Sequence, residues 1–394
     1  MSKVHTAPSF DDTAVAFKHK SNGELRLTWL VFYLMKRPSW VKLSTGMTLF
    51  ALRLRLPIEG MIKATIFKQF CGGESIADAS DTYNMLKANG IEAILDYSVE
   101  GQENEETFDH VRDELLRLID NAKKNSKVPT TCMKVTGVAR FALLEKVSAD
   151  QELSDSEKQE YNRVVSRLDQ LCKKAHNLGV KLYIDAEESW IQIAIDRLAE
   201  VMMQKYNGEQ AIVYTTLQLY RHDKVAYLNE LIEKAKNQSF KLGVKLVRGA
   251  YLEKENLRAA KMGYATPIQP NKESTDRDYN EALKRVVENI NTVEVCAGTH
   301  NERSAAYLCE LMAEKGLPNN HPSIFFSQLF GMSDNISFIL ANSGYNVSKY
   351  LPYGPVRYTM PYLIRRAEEN TSVSGQMGKE LQLVLNEMDR RKRS

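Results

Sequence analysis

From residue 91 onward the chain alternates short apolar runs with longer stretches of helical character. The runs are "IEAILDYS" (Ile91–Ser98), "CMKVTGV" (Cys132–Val138), "KLYIDAE" (Lys181–Glu187) and "AIVYTTLQ" (Ala211–Gln218). Then come "GVKLVRGA" (Gly243–Ala250), "VEVCAGTH" (Val293–His300), "SIFFSQL" (Ser323–Leu329) and "YNVSKYL" (Tyr345–Leu351). Their apolar character is nearly continuous, as it is in parallel strands covered on both faces. Between them "SDSEKQEYNRVVSRLDQLCKKAHNLG" opens on Ser/Asp capping residues and closes at Gly179, and "ERSAAYLCELMAEKG" closes at Gly316. Eight β/α repeats over about 280 residues predict an α/β protein built on a (β/α)8 barrel, with a doubly wound open sheet as the alternative.

The first ninety residues follow another pattern. "TWLVFYLMKRPSWVKLSTGMTLFALRLRLP" joins apolar runs broken at Pro38 and Pro57, which reads as short helices. From Lys18 to Lys68 ten basic residues (Lys18, Lys20, Arg26, Lys36, Arg37, Lys42, Arg53, Arg55, Lys63, Lys68) stand against only Glu24 and Glu59. Such a stretch either lies on an anionic membrane surface or packs on the main domain with a solvated basic face. The expected organisation is an N-terminal helical region over 1–90, a barrel over 91–370 and a C-terminal helix or tail over 371–394.

Composition narrows the function classes. With 43% apolar and 26% charged residues the chain has core material for a globular protein, and a net charge of +3 gives no reason to expect nucleic acid. Five scattered cysteines without a C-x-x-C pair, and seven histidines without metal-ligand spacing, predict neither a disulfide framework nor a zinc site. No run approaches the roughly 18 apolar residues of a membrane span. The N-terminus lacks a signal-peptide core, and Asp11–Asp12 are out of place in an acid-poor mitochondrial presequence, so the start reads as native or nearly so.

Polar residues close most of the predicted strands: Lys134 in the second, Asp185 in the third, Gln218 in the fourth, Lys245 and Arg248 in the fifth. Thr299–His300–Asn301 close the sixth and Tyr350 the eighth. Together they describe a polar ring at the barrel mouth where reactive groups collect. Beyond the eighth strand, Tyr362, Arg365, Arg366 and Glu369 share one helical face, with Pro361 in the first turn and Arg357 and Glu368 solvated. Paired guanidinium forks suit a carboxylate or a phosphate. No G-x-G-x-x-G, Walker A or G-x-S-x-G motif is present. The residues by themselves define a barrel enzyme acting on a small carboxylate or phosphate.

"KLVRGAYLEKE", "GTHNERS", "FSQLFGMSDNIS" and "YLPYGPVRYTMPYLIRRAEEN" resemble the motifs of the proline dehydrogenases, in that family's order, from about Ile91 to Asn370. The resemblance implies a distorted (β/α)8 TIM barrel that binds FAD, of the monofunctional, eukaryotic-like branch. Lys134, Asp185, Tyr350, Tyr362, Arg365, Arg366 and Glu369 match substrate positions. Arg365 and Arg366 would hold the proline carboxylate, Tyr350 and Tyr362 would pack along the ring, and Lys134, Asp185 and Glu369 would form a charged floor. Ala186, Gln218, Lys245, Val247, Arg248, Gly249, Ala250, Thr299, His300 and Asn301 match flavin positions, with Gly249 letting backbone approach the cofactor. Several bacterial members carry Arg then Lys in the fifth-strand motif, where this chain has Lys245 then Arg248.

The implied reaction takes L-proline to Δ1-pyrroline-5-carboxylate, with hydride leaving C5 for flavin N5 and electrons passing to a membrane quinone. It is the first step of proline catabolism to glutamate, and the product would pass to a separate pyrroline-5-carboxylate dehydrogenase. The implied location is the bacterial cytoplasm with peripheral membrane contact, or the mitochondrial matrix and inner membrane if a presequence has been removed. Two alternatives stand beside this: a hydroxyproline dehydrogenase, whose residue at the position of Tyr350 is smaller, and a phosphate-binding barrel lyase or isomerase.

Overall fold

In the computed structural model, residues 7–36, 39, 41, 44–48, 54, 56–97, 103–126, 129–372 and 376–393 are described. The strands are β1 (Ile91–Tyr97), β2 (Thr130–Met133), β3 (Lys181–Ile184), β4 (Val213–Gln218), β5 (Leu242–Val247), β6 (Val293–Gly298), β7 (Ile324–Leu329) and β8 (Val347–Tyr353). They form a closed barrel in sequence order, and β1 with β8 and each neighbouring pair from β2 to β7 run parallel. The open-sheet alternative is excluded. Residues 99–327 form one compact unit, and residues 8–98 with 328–394 form another.

In the first unit the register sets Met133 beside Ile184, Thr216 beside Lys245, and Lys245 beside Cys296. The helix Asp155–Leu178 follows from its sequence. Ser154 and Glu157 make a reciprocal capping box, and Gly179 ends the helix at φ +65°. Val164, Leu168, Leu171, Cys172 and Ala175 recur at helical spacing and are buried.

Strand ends differ from the apolar runs in one place that matters. β2 stops at Met133, and Val135–Gly137 form a single 3-10 turn. The apolar run continued to Val138 because Val135 and Val138 are fully buried without being strand. Lys134 therefore stands in the turn just beyond β2.

In the second unit β1 pairs with β8 from Ile91–Val347 through Tyr97–Tyr353. Tyr350 is thus mid-strand, three residues before the end. Val31, Phe32 and Met35 of the helix Asn22–Met35 share a buried cluster with Phe67, Phe70, Met360 and Leu363. The helix Gln376–Arg393 adds Leu383 and Val384 against Phe17 and Leu25. Its Arg391 donates to the carbonyls of Phe17 (2.9 Å) and Lys20 (2.8 Å).

The helix after β8 runs Val356–Ser372, so Pro361 is internal to it and not in its first turn. It begins early because Tyr358 N and Thr359 N already bond the Pro355 carbonyl, at 2.9 and 3.2 Å. The missing N–H of Pro361 then leaves the Arg357 carbonyl without its intrahelical donor. Arg357 itself is exposed and pairs with Glu59 at 2.9 Å, the solvated role expected of it.

Of the basic N-terminal residues, Arg37, Lys42, Arg53 and Arg55 lie outside the described residues. Lys20 and Lys63 are paired, with Asp334 and Glu74. Leu30, Tyr33 and Leu34 form an exposed apolar strip on the Asn22–Met35 helix. Among the described residues no helix is long and apolar enough to cross a membrane. The five cysteines are buried and free, and no cluster able to hold a metal occurs among the described residues.

Candidate active site

The ends of β2 to β6 gather the first set of polar residues. Asp185 follows β3, its N–H donating to the Met133 carbonyl at 2.8 Å, and its carboxylate is ion-paired with Lys245 of β5. Both side chains are nearly enclosed, and the Lys245 ammonium lies 5.8 Å from the centre of the Tyr183 ring. Burial alone would lower the Lys245 ammonium, but the neighbouring Asp185 carboxylate holds it above the ordinary lysine value. The Lys245 ammonium is therefore kept charged beside its Asp185 partner. Asp185 and Lys245, expected to serve substrate and cofactor separately, are one ion pair.

Arg248, one residue past β5, is held by three partners. Its Nε donates to Asp276 (2.7 Å), one terminal nitrogen to Thr299 (2.7 Å) and the other to Ser304 (2.9 Å). Its guanidinium also lies 4.3 Å from the Tyr279 ring centre. Thr299 in turn accepts from Asn301 N at 3.0 Å, and the Asn301 side chain caps the helix Glu302–Glu314. This ties the end of β5 to the end of β6. Burial would raise the Asp276 carboxyl, yet Lys272 and Arg248 bring it below the ordinary range. His300 is half-buried between Thr299 and Asn301.

Gln218 closes β4, donating to the Glu187 carbonyl at 2.7 Å and accepting from Ala250 N at 3.3 Å. Gly249 adopts φ +137°, a conformation that an L side chain rarely takes. A Cβ there would meet the Tyr220 ring at 2.5 Å, so the space beside Gly249 is already filled by protein. Gly249→Ala is expected to cost at least about 2 kcal/mol, from backbone strain and overpacking together. Thermal unfolding of the variant measures it.

The second unit carries the other set. Tyr350, Tyr362 and Arg366 are buried, Arg365 is half-buried, and the Glu369 side chain lies outside the described residues. Arg366 stacks its guanidinium 5.2 Å from the Tyr362 ring centre, the contact that a spacing of four on a helix allows.

Sequence reasoning missed Glu187, Asp276, Ser304 and Tyr220. Glu187 is buried two residues beyond Asp185, and burial pushes its carboxyl up to about 7 against two hydrogen bonds from Thr136. Its place in "DAEE" carries a signal, since a second acid two residues past Asp185 at a strand end is an unusual resident of a barrel core. Asp276 and Ser304 are recognisable only through the arginine they bind.

A closed (β/α)8 barrel with buried ionic and amide groups at its strand ends defines the class: a barrel enzyme. Comparison with known proteins narrows it. The family profile described as "Proline dehydrogenase" matches residues 79–379. The chain is 34% identical to the carbapenem antibiotics biosynthesis protein CarD of Pectobacterium carotovorum subsp. carotovorum, over 89% of this chain and 91% of that one. It is 32% identical to "Proline dehydrogenase 1, mitochondrial" of Dictyostelium discoideum, over 96% and 74%. It is 31% identical to the hydroxyproline dehydrogenase of Xenopus laevis, over 98% and 90%. Proline utilization A from Bdellovibrio bacteriovorus shares the fold at a TM-score of 0.73 and 21% identity, covering 94% of this chain and 39% of that one. The chain belongs to the proline dehydrogenase family, whose members are flavin-dependent oxidoreductases.

The strand-end chemistry fits a flavin nucleotide. Gln218, Lys245, Arg248, Thr299, His300 and Asn301 supply amides, a hydroxyl and cations, a donor-rich set matched to a diphosphate and to the carbonyls of a flavin ring.

Proposed function

We propose that this chain is an FAD-dependent proline dehydrogenase that oxidises L-proline to Δ1-pyrroline-5-carboxylate. The observation that carries the reading is the family match over 79–379, which spans both the strand-end set and the tyrosine–arginine helix. Bound FAD would take up the two electrons leaving C5 of proline as hydride.

Each chain residue then has a task. Arg365 and Arg366 bind the carboxylate, and Arg366 is oriented by Tyr362. Tyr350 and Tyr362 cover the ring, and Lys134 with Glu369 completes the charged surround. Asp185 keeps Lys245 protonated, so that a cation stands where negative charge grows on reduction. Gln218, Lys245, Val247, Arg248, Gly249, Ala250, Ala186, Thr299, His300 and Asn301 hold the cofactor. Arg248 does so from a fork fixed to Asp276, Thr299 and Ser304. A membrane quinone reoxidises the enzyme, the exposed Leu30, Tyr33 and Leu34 touch the bilayer surface, and the product passes to a separate dehydrogenase.

The hydroxyproline reading draws support from the Xenopus relative. Tyr350 favours proline, because a buried tyrosine leaves little room for a 4-hydroxyl.

Anaerobic titration of the purified protein tests the proposal. L-Proline is expected to bleach the flavin absorbance near 450 nm, a ubiquinone analogue to restore it, and anionic liposomes to carry the protein on flotation. Bleaching by hydroxyproline but not proline would overturn the substrate. A colourless protein would overturn the cofactor, and failure to float would overturn the membrane contact.

A further inference from the structure

The first unit holds a continuous chain of hydrogen bonds across four strand ends. Thr136, in the turn after β2, donates to Glu187 from its backbone N–H (3.1 Å) and its hydroxyl (2.5 Å). Glu187, beyond β3, donates its own N–H to Gln192 (2.8 Å) and offers its carbonyl to Gln218 (2.7 Å). Gln218, at the end of β4, accepts from Ala250 N beyond β5. Glu187 contributes its carboxylate, its N–H and its carbonyl, and so joins the turn after β2 to Gln218 through a single residue.

We infer that Glu187 is a positioning residue for the proposed reaction: it fixes the turn that carries Lys134 relative to Gln218 and the Gly249–Ala250 backbone. The inference rests on the function proposed above, which gives Lys134 to the substrate and Gln218 to the flavin. A carboxylate suits the task because it accepts twice from one residue, Thr136, and so fixes the direction as well as the distance of the turn.

Glu187 is also held from behind. The next residue, Glu188, pairs with Lys254 at 2.9 Å, and Ser189 donates from its N–H and hydroxyl to the fully buried Glu255, at 2.7 and 2.6 Å. The link from β3 to the helix Ser189–Tyr206 is therefore pinned at three successive residues. The charged groups acting on the Glu187 carboxyl are Lys134, which favours ionisation, and Glu188, which opposes it. Burial outweighs the Thr136 bonds and Lys134 and brings the carboxyl to about 7. Its ionisation thus falls where activity is measured.

The sign follows from linkage. With a folded-state value raised from 4.5 to about 7, the Glu187 contribution to stability is full below about 4.5 and is lost as pH rises through about 7. Glu187→Gln keeps the shape and removes the titration.

The test compares full-chain wild type with Glu187→Gln, Glu187→Asp and Thr136→Val. Melting temperature is followed from pH 5 to 8, together with flavin reduction by L-proline under anaerobic conditions. Relative to Glu187→Gln, the wild type is expected to lose melting temperature as pH rises across that range. Reduction in Glu187→Gln is expected to slow by about ten- to a hundred-fold, carried by kcat more than KM, because the groups are misplaced and not removed. Its pH profile should lose a step near pH 7 that Glu187→Asp retains.

Should Glu187→Gln fail to fold, Thr136→Val decides. It removes one donor to the carboxylate, so the step should move to higher pH and reduction should slow. Wild-type rate and profile in the folded variant, or in Thr136→Val, overturn the assignment. If L-proline does not bleach the wild type at all, the proposed function falls and the positioning role falls with it. Bleaching of the wild type with an unaltered variant removes Glu187 alone.

Discussion

Replacing Arg366 with alanine is expected to lower kcat/KM for L-proline by about a hundred- to a thousand-fold, mostly through KM. The guanidinium is buried and packed on the Tyr362 ring, so it is pre-oriented before any ligand arrives. On the proposed reading it meets a carboxylate there, and truncating one side of a buried charge-assisted pair costs about 2–5 kcal/mol. Arg366→Lys should recover only part of the loss, because an ammonium keeps the charge but neither the fork nor the flat face. Steady-state kinetics alongside a melting curve separate a binding defect from unfolding. An unchanged KM in a folded Arg366→Ala protein would remove the clamp from the proposal.

The second large effect is structural. Asp334→Ala is expected to destabilise the protein by about 3–5 kcal/mol, the usual cost of stranding a buried charge. That charge is Lys349, which has no exposed surface. Its ammonium lies 2.9 Å from Asp334 and donates to the Met332 carbonyl at 2.5 Å. The other Asp334 oxygen faces Lys20 at 3.4 Å and His19 at 3.5 Å. Burial would raise the Asp334 carboxyl, but the Lys349 and Lys20 ammonium groups, helped by a hydrogen bond with His19, hold it well below the usual carboxylate range.

The stabilisation is therefore present above about pH 4, the ordinary carboxylate value, and lost as acid reaches the folded-state value. Chemical denaturation from pH 3 to 7 should show a steep acid limb in the wild type and a flatter one in Asp334→Ala. Pairing Asp334→Leu with Lys349→Met should recover most of the loss, since an apolar pair of similar volume often replaces a buried ion pair at little cost. A single Asp334→Ala change worth under about 1 kcal/mol would show that the cluster is solvated.

How much of this was legible in the sequence depends on distance along the chain. The eight strands could be read because parallel strands buried on both faces carry unbroken apolar runs, and the barrel order followed from their alternation with helices. The same signal misplaced the end of β2, since Val135 and Val138 are as buried as strand residues while belonging to a turn and its exit. Tyr362 and Arg366 could be paired because helical spacing is local. Asp185 and Lys245 could not, since 60 positions separate them and nothing local links the two. Arg248 was recognisable as a site residue but not as one fixed by Asp276, Thr299 and Ser304. Gly249 was recognised for its missing side chain, while the ring that fills that space, Tyr220, was not.

The grip of Arg391 on the Lys20 carbonyl joins residues 371 positions apart. During synthesis the first ninety residues emerge carrying Val31, Phe32 and Phe70, whose partners Met360 and Leu363 are still to be made. Strand β1 likewise waits for β8. Contacts of such sequence separation form slowly and leave apolar surface uncovered in the interval. The segment that bears Val31 and Phe70 therefore stays unfinished while the strands between it and Met360 are made, and loss of the helix Gln376–Arg393 would uncover Phe17 and Leu25.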